Sequence, residues 1–173
     1  SRGIFSAVSV RMIEILTIAI TILGSTTVEG PNRRVNMVSF NGVASGPYFT
    51  GKTVDGGMDT QTFKKTGGQV GGGSLSARYI LKGKDQSGQE CKIFIENNGN
   101  FADEYTHPIC TTDCKSLEAL NNDNLKGKLD MQGGGLTIRI YAPEAIWMSL
   151  WPNQRINFVN KYNELTFNSK IYN

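Results

Sequence analysis

Hydrophobic residues recur at every second position along most of this chain, and this period limits the fold more than any other feature. The stretch 75–82 shows it most cleanly, since one parity of its positions is apolar: Leu75, Ala77, Tyr79 and Leu81. Successive side chains of a β-strand point to opposite faces, so the pattern is typical of a strand with one buried face. Before residue 143, no apolar stripe with the helical period of about 3.6 residues continues beyond two turns. The sequence therefore predicts an all-β protein.

The first predicted strand changes parity partway along. Isoleucine or leucine occupies every second position from Leu16 to Ile22, whereas Ile13 and Ile15 lie on the opposite parity. A β-bulge adds one residue to one strand and thereby switches the parity of the residues that follow. We therefore predict a bulge near Ile15–Leu16 that turns both apolar sets toward the interior.

Turn signals separate about eight predicted strands. We expect a hairpin turn at Asn41-Gly42, a glycine-rich loop from Gly67 to Gly73, and a last hairpin across Gly133-Gly134-Gly135. Short turns favour a meander, and a meander removes its exposed edges by closing on itself. A β-sandwich is the alternative, but it needs long crossover connections, and only residues 100–123 are long enough to supply one. The prediction is a single small antiparallel β-barrel of about eight strands, with a short helical turn and a C-terminal extension.

The barrel domain is expected to span residues 12–142. Residues 1–11 before it form an N-terminal extension, and Met12 is a candidate native start. Residues 143–173 form a C-terminal extension that we expect to pack on the barrel or on a partner subunit.

Two helical segments are expected outside the strands. Ser116 is a suitable cap for a short helical turn that ends at Asn121. Pro143 suits the first position of a helix, because its missing N–H costs nothing there. Beyond that helix, one or two further strands are expected between Arg155 and Tyr172.

The net charge and the length of the longest apolar stretch argue against two classes of partner, nucleic acids and membranes. The net charge is only +3, and no run of basic residues is interleaved with aromatics, so nucleic acid is not expected. The apolar stretch from Ile13 to Leu23 is roughly half as long as a transmembrane helix, which needs about 20 residues, and Glu14 interrupts it. We expect a cytoplasmic protein with no membrane partner. Its expected partners are a small-molecule ligand and further copies of itself, as a homodimer or higher homo-oligomer.

The chain contains few cysteine and histidine residues, which are the usual ligands of a zinc site. Its cysteines, Cys91, Cys110 and Cys114, are an odd number without framework spacing, so three reduced thiols are expected. A Cys110–Cys114 disulfide in an oxidising compartment is the alternative. With a single histidine and no paired Cys-x-x-Cys motif, a zinc site is not expected. The glycine run at 67–73 lacks the Lys-Ser/Thr of a phosphate-binding loop, and we expect no cofactor.

A series of short motifs follows one another in a fixed order between about Met12 and Tyr141. They are Arg33-Arg34, Phe40-Asn41-Gly42, Gly46-Pro47, Asp55-Gly56-Gly57-Met58-Asp59, Ala77-Arg78-Tyr79, Ile93-Phe94-Ile95-Glu96-Asn97-Asn98-Gly99 and Thr137-Ile138-Arg139-Ile140-Tyr141. The series resembles a widespread microbial family that is known only as a domain of unknown function. The resemblance implies a small β-barrel, broadly like lipocalins or allene oxide cyclases, and implies no agreed reaction. Asp55 and Thr60 depart from the family pattern, which has a frequent proline and a frequent aromatic there, so the ligand can differ from that of relatives.

Three charged residues are candidates for a ligand site. Asp59 follows a double glycine, where a carboxylate can act as a general base or accept a hydrogen bond from a ligand hydroxyl. An exposed turn aspartate is the plainer interpretation. Arg78 and Arg139 lie on two predicted strands and would bind a carboxylate or phosphate if both faced the lumen. If the apolar parity faces inward instead, both arginines are solvated.

Three further polar residues complete the candidate list. Asn97 is predicted to cap a turn at a strand end, with ligand binding as its second role. Tyr141 can present a phenol to the pocket. His107 is the only histidine and therefore the natural candidate for proton transfer near neutral pH, although a lone loop histidine is usually a surface residue.

Three functions are compatible with these residues. The preferred hypothesis is a barrel that binds a small, partly apolar molecule with an acidic or hydroxyl group, through Asp59, Arg78, Asn97, Arg139 and Tyr141. The second is a cofactor-independent isomerase, cyclase or lyase that uses Asp59 or His107 as its acid or base. The third is a homo-oligomeric interaction module that associates through outward apolar strand faces and the Trp147–Trp151 segment.

Overall fold

The computed structural model describes residues 5–149 and 164–172. In these residues the segments with alternating apolar and polar side chains form ten antiparallel strands. The strands are β1 (Phe5–Glu29), β2 (Arg33–Ser45), β3 (Phe49–Thr53), β4 (Gly57–Thr66), β5 (Gln69–Asp85), β6 (Glu90–Asn100), β7 (His107–Thr112), β8 (Lys126–Asp130), β9 (Leu136–Pro143) and β10 (Glu164–Tyr172). The helical elements are α1 (Glu144–Ser149) and two 3-10 segments, Lys115–Asn121 and Gln132–Gly134. The predicted all-β class is confirmed.

The strands close into a barrel with eight positions around its wall. β2 pairs with β1, and β5, β6 and β7 pair in chain order. β3 and β4 share one position, end to end between β2 and β5. β9 pairs with both β1 and β8. The last gap, between β7 and β8, is bridged by Thr106 and Gly127, whose backbone N–H groups donate to each other's carbonyl oxygens at 2.9 and 3.0 Å. The predicted eight-stranded meander barrel is therefore confirmed.

The long first strand carries the predicted bulge. The pairing of β1 with β9 shifts register between Glu14 and Leu16. Ile13, Ile15 and Leu16 are all almost fully buried, on both sides of the shift. The parity switch in the sequence thus has the expected cause.

The C-terminal segment begins with the helix that was expected at Pro143. α1 starts at the next residue, and its Trp147 is fully buried with its ring edge-on to Tyr48, at a centroid distance of 4.6 Å. β10 then pairs with the first nine residues of β1 and supplies one of the strands expected between 155 and 172. Residues 155–163 lie outside the described part of the chain. The expected turn at Ser116 forms as a 3-10 segment, but the Ser116 hydroxyl donates to Asp85 rather than capping it.

The packed core occupies one end of the barrel. Leu81 and Ile93 lie in the same buried cluster as Leu117 and Leu120 of the 3-10 segment and Trp147 of α1. Side chains from outside the strands thus close this end, and the opposite end contains a cavity. Within residues 5–149 and 164–172, no helix combines the length and the apolar character that crossing a membrane requires.

Two predicted turns are wrong for one physical reason. β2 continues straight through Asn41-Gly42, because both residues pair with β1. A Cβ atom at the buried Gly42 would lie within 3.4 Å of side-chain atoms of Ile18, Ile20 and Thr53, so the strand needs a glycine there. The chain turns instead around Gly46, which has a φ of 131°. The expected loop 67–73 is likewise only a tight turn at Gly67-Gly68, since residues 69–73 extend β5. Strand pairing outweighs local turn preference at both places.

The prediction of three reduced thiols is wrong, and so is the alternative pair. The structure joins Cys91 to Cys114 in a disulfide with a Cα–Cα distance of 5.2 Å, and Cys110 is free and buried. Since Ile93 pairs with Thr112, the antiparallel register of β6 and β7 places Cys91 opposite Cys114. Cys110 lies four residues before Cys114, about 13 Å away along an extended chain, so those two sulfurs cannot meet.

Candidate ligand-binding site

A cavity of about 230 Å³ opens at the end of the barrel opposite the packed core. Its wall is mainly aliphatic and aromatic, with side chains from β1, β2, β5 and β9: Ile20, Val38, Phe40, Leu75, Ala77, Leu136 and Ile138. Its polar lining consists of Asp59, Gln61, Tyr79 and Asn97. Among the described residues that line it, Asp59 is the only charged one. A mostly apolar hollow with a few polar groups is the usual composition of a small-molecule site.

Apolar side chains also surround the mouth of this cavity. Ile22, Phe101 and Leu129 are substantially exposed, and Met131 is 74% exposed. Phe101 stacks on Phe63 at a centroid distance of 5.3 Å, so the aromatic part of the rim is held in place. An apolar rim around an apolar hollow suits the passage of an apolar molecule from solvent to the lumen.

Strand register brings two predicted site residues to the same wall. Asp59 of β4 lies opposite Ala77 of β5, and Ala77 lies opposite Asn97 of β6. The carboxyl and the amide are therefore two strand spacings apart, about 10 Å, with the small alanine side chain between them. Tyr79 follows on the same face of β5, and its ring meets Phe40 edge-on at 5.3 Å. A flat ligand that lies over Ala77 would have polar groups at both ends.

A chain of amide hydrogen bonds holds one oxygen of Asp59. The Gln61 Nε2 donates to Asp59 Oδ2 at 3.0 Å, and the Asn36 Nδ2 donates to Gln61 Oε1 at 3.2 Å. The Thr27 hydroxyl donates to Asn36 Oδ1 at 2.9 Å, which fixes the orientation of that amide. Each amide thus has a defined direction, and the network ends on a single carboxylate oxygen.

The other oxygen of Asp59 is buried and has no hydrogen-bond partner in the described part of the chain. Burial raises the pKa of this carboxyl above its ordinary value, and the hydrogen bond from Gln61 opposes that rise. A buried acceptor without a partner costs folding free energy, commonly about 1–3 kcal/mol. Such an atom is a candidate contact for a ligand.

Two more polar side chains that line the cavity have a buried atom without a hydrogen-bond partner among the described residues. The Tyr79 hydroxyl and the Asn97 Oδ1 are buried without a hydrogen-bond partner there. Burial raises the pKa of Tyr79 above its already high ordinary value, so its hydroxyl stays protonated and can donate. Asn97 was expected to cap a turn first and to bind second, but it lies within β6 and faces inward.

The two predicted arginines do not line the cavity. Arg78 is 67% exposed, and its Nη2 lies 3.2 Å from Glu96 Oε1 on the neighbouring strand. Arg139 binds Glu14 at 2.8 Å and Asp130 at 3.4 Å on the outer face of β9. Both residues alternate with inward apolar ones, so the apolar parity faces the lumen and the arginines face outward.

Tyr141 and His107 also lie away from the lumen. Tyr141 packs on the outer face of β9 with Met12, Val10 and Tyr105, and burial raises its pKa to about 12. His107 is exposed at the start of β7. The structure thus brings two of the five predicted ligand contacts, Asp59 and Asn97, to one cavity.

Sequence reasoning missed Gln61 and Phe101. Gln61 shares parity with Asp59 two residues earlier, and that spacing is the signal that could have identified it. Phe101 follows β6 directly and reaches the rim because its backbone N–H bonds to the Gly73 carbonyl at 3.0 Å, a contact between distant positions of the chain.

Solved structures show the same fold at low sequence identity. A protein of unknown function from Clostridium acetobutylicum has a TM-score of 0.60 at 23% identity, over 76% of this chain and 97% of that one. An enzyme from Penicillium herquei has a TM-score of 0.60 at 15% identity, over 76% and 92% of the two chains. A β-barrel-like protein from Acinetobacter baumannii has a TM-score of 0.50 at 14% identity, over 82% and 98%. These identities show a shared fold alone.

Sequence comparison identifies the family. A UPF0311 protein of Clostridium acetobutylicum is 32% identical over 103 residues, which are 56% of this chain and 59% of that relative. A family profile described as a protein of unknown function matches residues 11–104, within the stretch that carries the motif series. The resemblance seen in the motifs is therefore confirmed: the chain belongs to the DUF3237 family of proteins of unknown function.

Proposed function

We propose that the lumen binds a small, uncharged, mostly apolar molecule whose hydroxyl group donates a hydrogen bond to Asp59. The observation that carries this proposal is the unpaired Oδ1 of Asp59 in a cavity that is otherwise almost entirely apolar. Of the acidic and hydroxyl ligands considered from the sequence, the hydroxyl one fits better. An anion in the lumen would be repelled by the negative charge of the Asp59 carboxylate. It could not pair with Arg78 or Arg139, because both arginines bind carboxylates on the outer face of the barrel.

The dimensions of the cavity favour a molecule of one or two rings. Its volume of about 230 Å³ is below the range of about 300–1,000 Å³ that is common for drug-sized ligands. Burying about 250 Å² of apolar surface at ~25 cal/mol per Å² contributes about 6 kcal/mol before association costs. A hydrogen bond to a charged acceptor adds about 1.5–3 kcal/mol, so one hydroxyl changes affinity by at least about tenfold.

Three bicyclic probes that differ in one substituent test this proposal. We expect 2-naphthol to bind about tenfold more tightly than naphthalene, because only the naphthol can donate to Asp59. The anion 2-naphthoate should bind most weakly. In the Asp59→Leu variant, which removes the acceptor, the advantage of naphthol should disappear while naphthalene binding is retained. Probe fluorescence or isothermal titration calorimetry gives the dissociation constants.

The matched control is Arg78→Gln, on the outer face of the adjacent strand. It should leave all three affinities unchanged, because Arg78 is paired with Glu96 away from the lumen. Equal affinities of the wild-type protein for all three probes would contradict the proposal. A hydroxyl preference that survives Asp59→Leu would contradict it as well. The homo-oligomer expected from the sequence stays a separate prediction.

A further inference from the structure

We infer that Asp59 is a general base for a weak carbon or oxygen acid bound in the lumen, and that Gln61 positions it. The substrate class is an uncharged molecule with a C–H or O–H bond that becomes acidic when a neighbouring bond breaks or rearranges. This inference rests on the proposed ligand site and adds a chemical step to it.

The geometry separates the two oxygens of the carboxylate into distinct roles. Gln61 donates to Oδ2, and the hydrogen bonds through Asn36 and Thr27 keep the Gln61 amide in that orientation. The carboxylate therefore has one oxygen anchored, and Oδ1 is buried without a partner in the described chain. A base that is already oriented toward its substrate avoids the entropic cost of finding that orientation during the reaction.

The surroundings of Asp59 make its carboxylate a stronger base than one in water. Removing water from a carboxylate favours its protonated form, and burial is the largest cause of the raised pKa of Asp59. The side chains of the described residues that face it from its own strand, the flanking strands and the lumen are all uncharged at neutral pH: Gln61, Asn36, Val38, Leu75, Ala77, Tyr79 and Asn97. No cation among them lowers its proton affinity.

Tyr79 supplies a second, complementary group. Its hydroxyl is buried, stays protonated, and has no hydrogen-bond partner in the described chain. It can donate to negative charge that develops on the ligand as the proton leaves. A fixed donor in a cavity that excludes water stabilises such charge more than water does.

The ring opening of 5-nitrobenzisoxazole is a direct probe of such a base. Asp59 Oδ1 would take the proton from the ring carbon, and the electron pair of that C–H bond would form the new C≡N bond. The N–O bond breaks at the same time, and its electron pair leaves on oxygen as a coloured phenolate. Asp59 then returns the proton to solvent. The reaction needs no oxidant, reductant or co-reactant, and the probe is an uncharged bicyclic molecule close to 2-naphthol in size.

We expect the wild-type protein to open this probe with saturation kinetics, faster than acetate at equal concentration. The Asp59→Asn variant keeps the shape but cannot accept the proton, and its kcat should fall by about a hundredfold, which is the usual scale for losing a general base. Between about pH 4 and about pH 8, the wild-type rate should rise as Asp59 ionises, with its inflection above the ordinary aspartate pKa.

The Gln61→Leu variant tests the positioning role. Because the hydrogen bond from Gln61 opposes the rise in the Asp59 pKa, its loss should move the inflection of the pH–rate profile to higher pH. The kcat should fall while the KM changes little. A purely structural role of Gln61 would leave the inflection unchanged.

The control is His107→Gln, which alters the only histidine at an exposed position outside the cavity and should leave the rate unchanged. Retention of the wild-type rate by Asp59→Asn would overturn the inference. So would a wild-type rate equal to that of acetate in a protein that binds 2-naphthol, and this outcome would leave the proposed ligand site intact. If neither 2-naphthol nor 5-nitrobenzisoxazole binds, both proposals fail.

Discussion

Replacing Gly83 with alanine should destabilise the barrel by about 3 kcal/mol or more, because the added methyl group meets backbone rather than side chain. Gly83 of β5 lies opposite Gly51 of β3. A Cβ atom at position 83 would overlap the Thr50 carbonyl oxygen and lie 2.5 Å from the Gly51 Cα. β3 has only five residues and holds its barrel position alone at that end, so it cannot move away without opening the wall.

Urea unfolding followed by circular dichroism measures this loss directly. Gly72→Ala is the matched control, since Gly72 lies on the same strand and a Cβ there would meet no atom within 4 Å. Its free energy of unfolding should stay within about 0.5 kcal/mol of the wild type. Equal unfolding midpoints of the two variants would show that the backbones of β3 and β5 are not in close contact at Gly51 and Gly83 in solution.

Reduction of the Cys91–Cys114 disulfide should have the second-largest effect. The bond joins residues that are 23 positions apart, and opening a loop of that length restores chain entropy worth about 3 kcal/mol to the unfolded state. The bond also ties the 3-10 segment that begins at Lys115 to β6, and Leu117 and Leu120 of that segment are fully buried. We therefore expect loosening of the packed end of the barrel together with the loss of stability.

Thermal unfolding with and without dithiothreitol tests this expectation. The Cys91→Ser/Cys114→Ser double variant should melt like the reduced wild type and should not respond to the reductant. Cys110→Ala should keep the full response, because Cys110 is buried and unpaired, and burial raises its pKa to about 12. A wild-type melting temperature that is the same under both conditions would refute the disulfide.

The alternation of side chains was sufficient to predict much of this molecule. It predicted the strand class, the barrel and the bulge in β1, because a period of two is a local property of the sequence. It did not place Asp59 or Asn97, which were candidates because of a double glycine and a predicted strand end. Both face the cavity because they lie opposite Ala77 on the neighbouring strands, and paired residues share a face. The same alternation left Arg78 and Arg139 undecided, because a pattern alone does not say which face encloses the lumen.

Contacts between distant positions account for what the sequence did not reveal. The disulfide follows from the register of β6 and β7, which is set by pairs such as Ile93 with Thr112 rather than by the spacing of cysteines. The position of the cavity depends on which end of the barrel is filled. Leu117 and Trp147 fill one end from segments outside the strands, and no local pattern shows where those segments fold back.

The unpaired oxygen of Asp59 breaks a rule that the rest of the described chain mostly obeys. Buried polar atoms normally have a hydrogen-bond partner, and an atom without one lowers stability. Departures of this kind concentrate at functional sites, where a ligand completes the missing bond. The same atom therefore carries the proposed ligand site and the inferred base.

A crystal structure of the protein with 6-bromo-2-naphthol tests the ligand site most directly, because bromine can be located by its anomalous scattering. We predict one bromine peak inside the lumen, with the naphthol oxygen at a hydrogen-bond distance of about 2.5–3.0 Å from Asp59 Oδ1. Bromine on the outer face near Arg78 or Arg139, or a lumen filled by the protein's own side chains, would contradict the proposal.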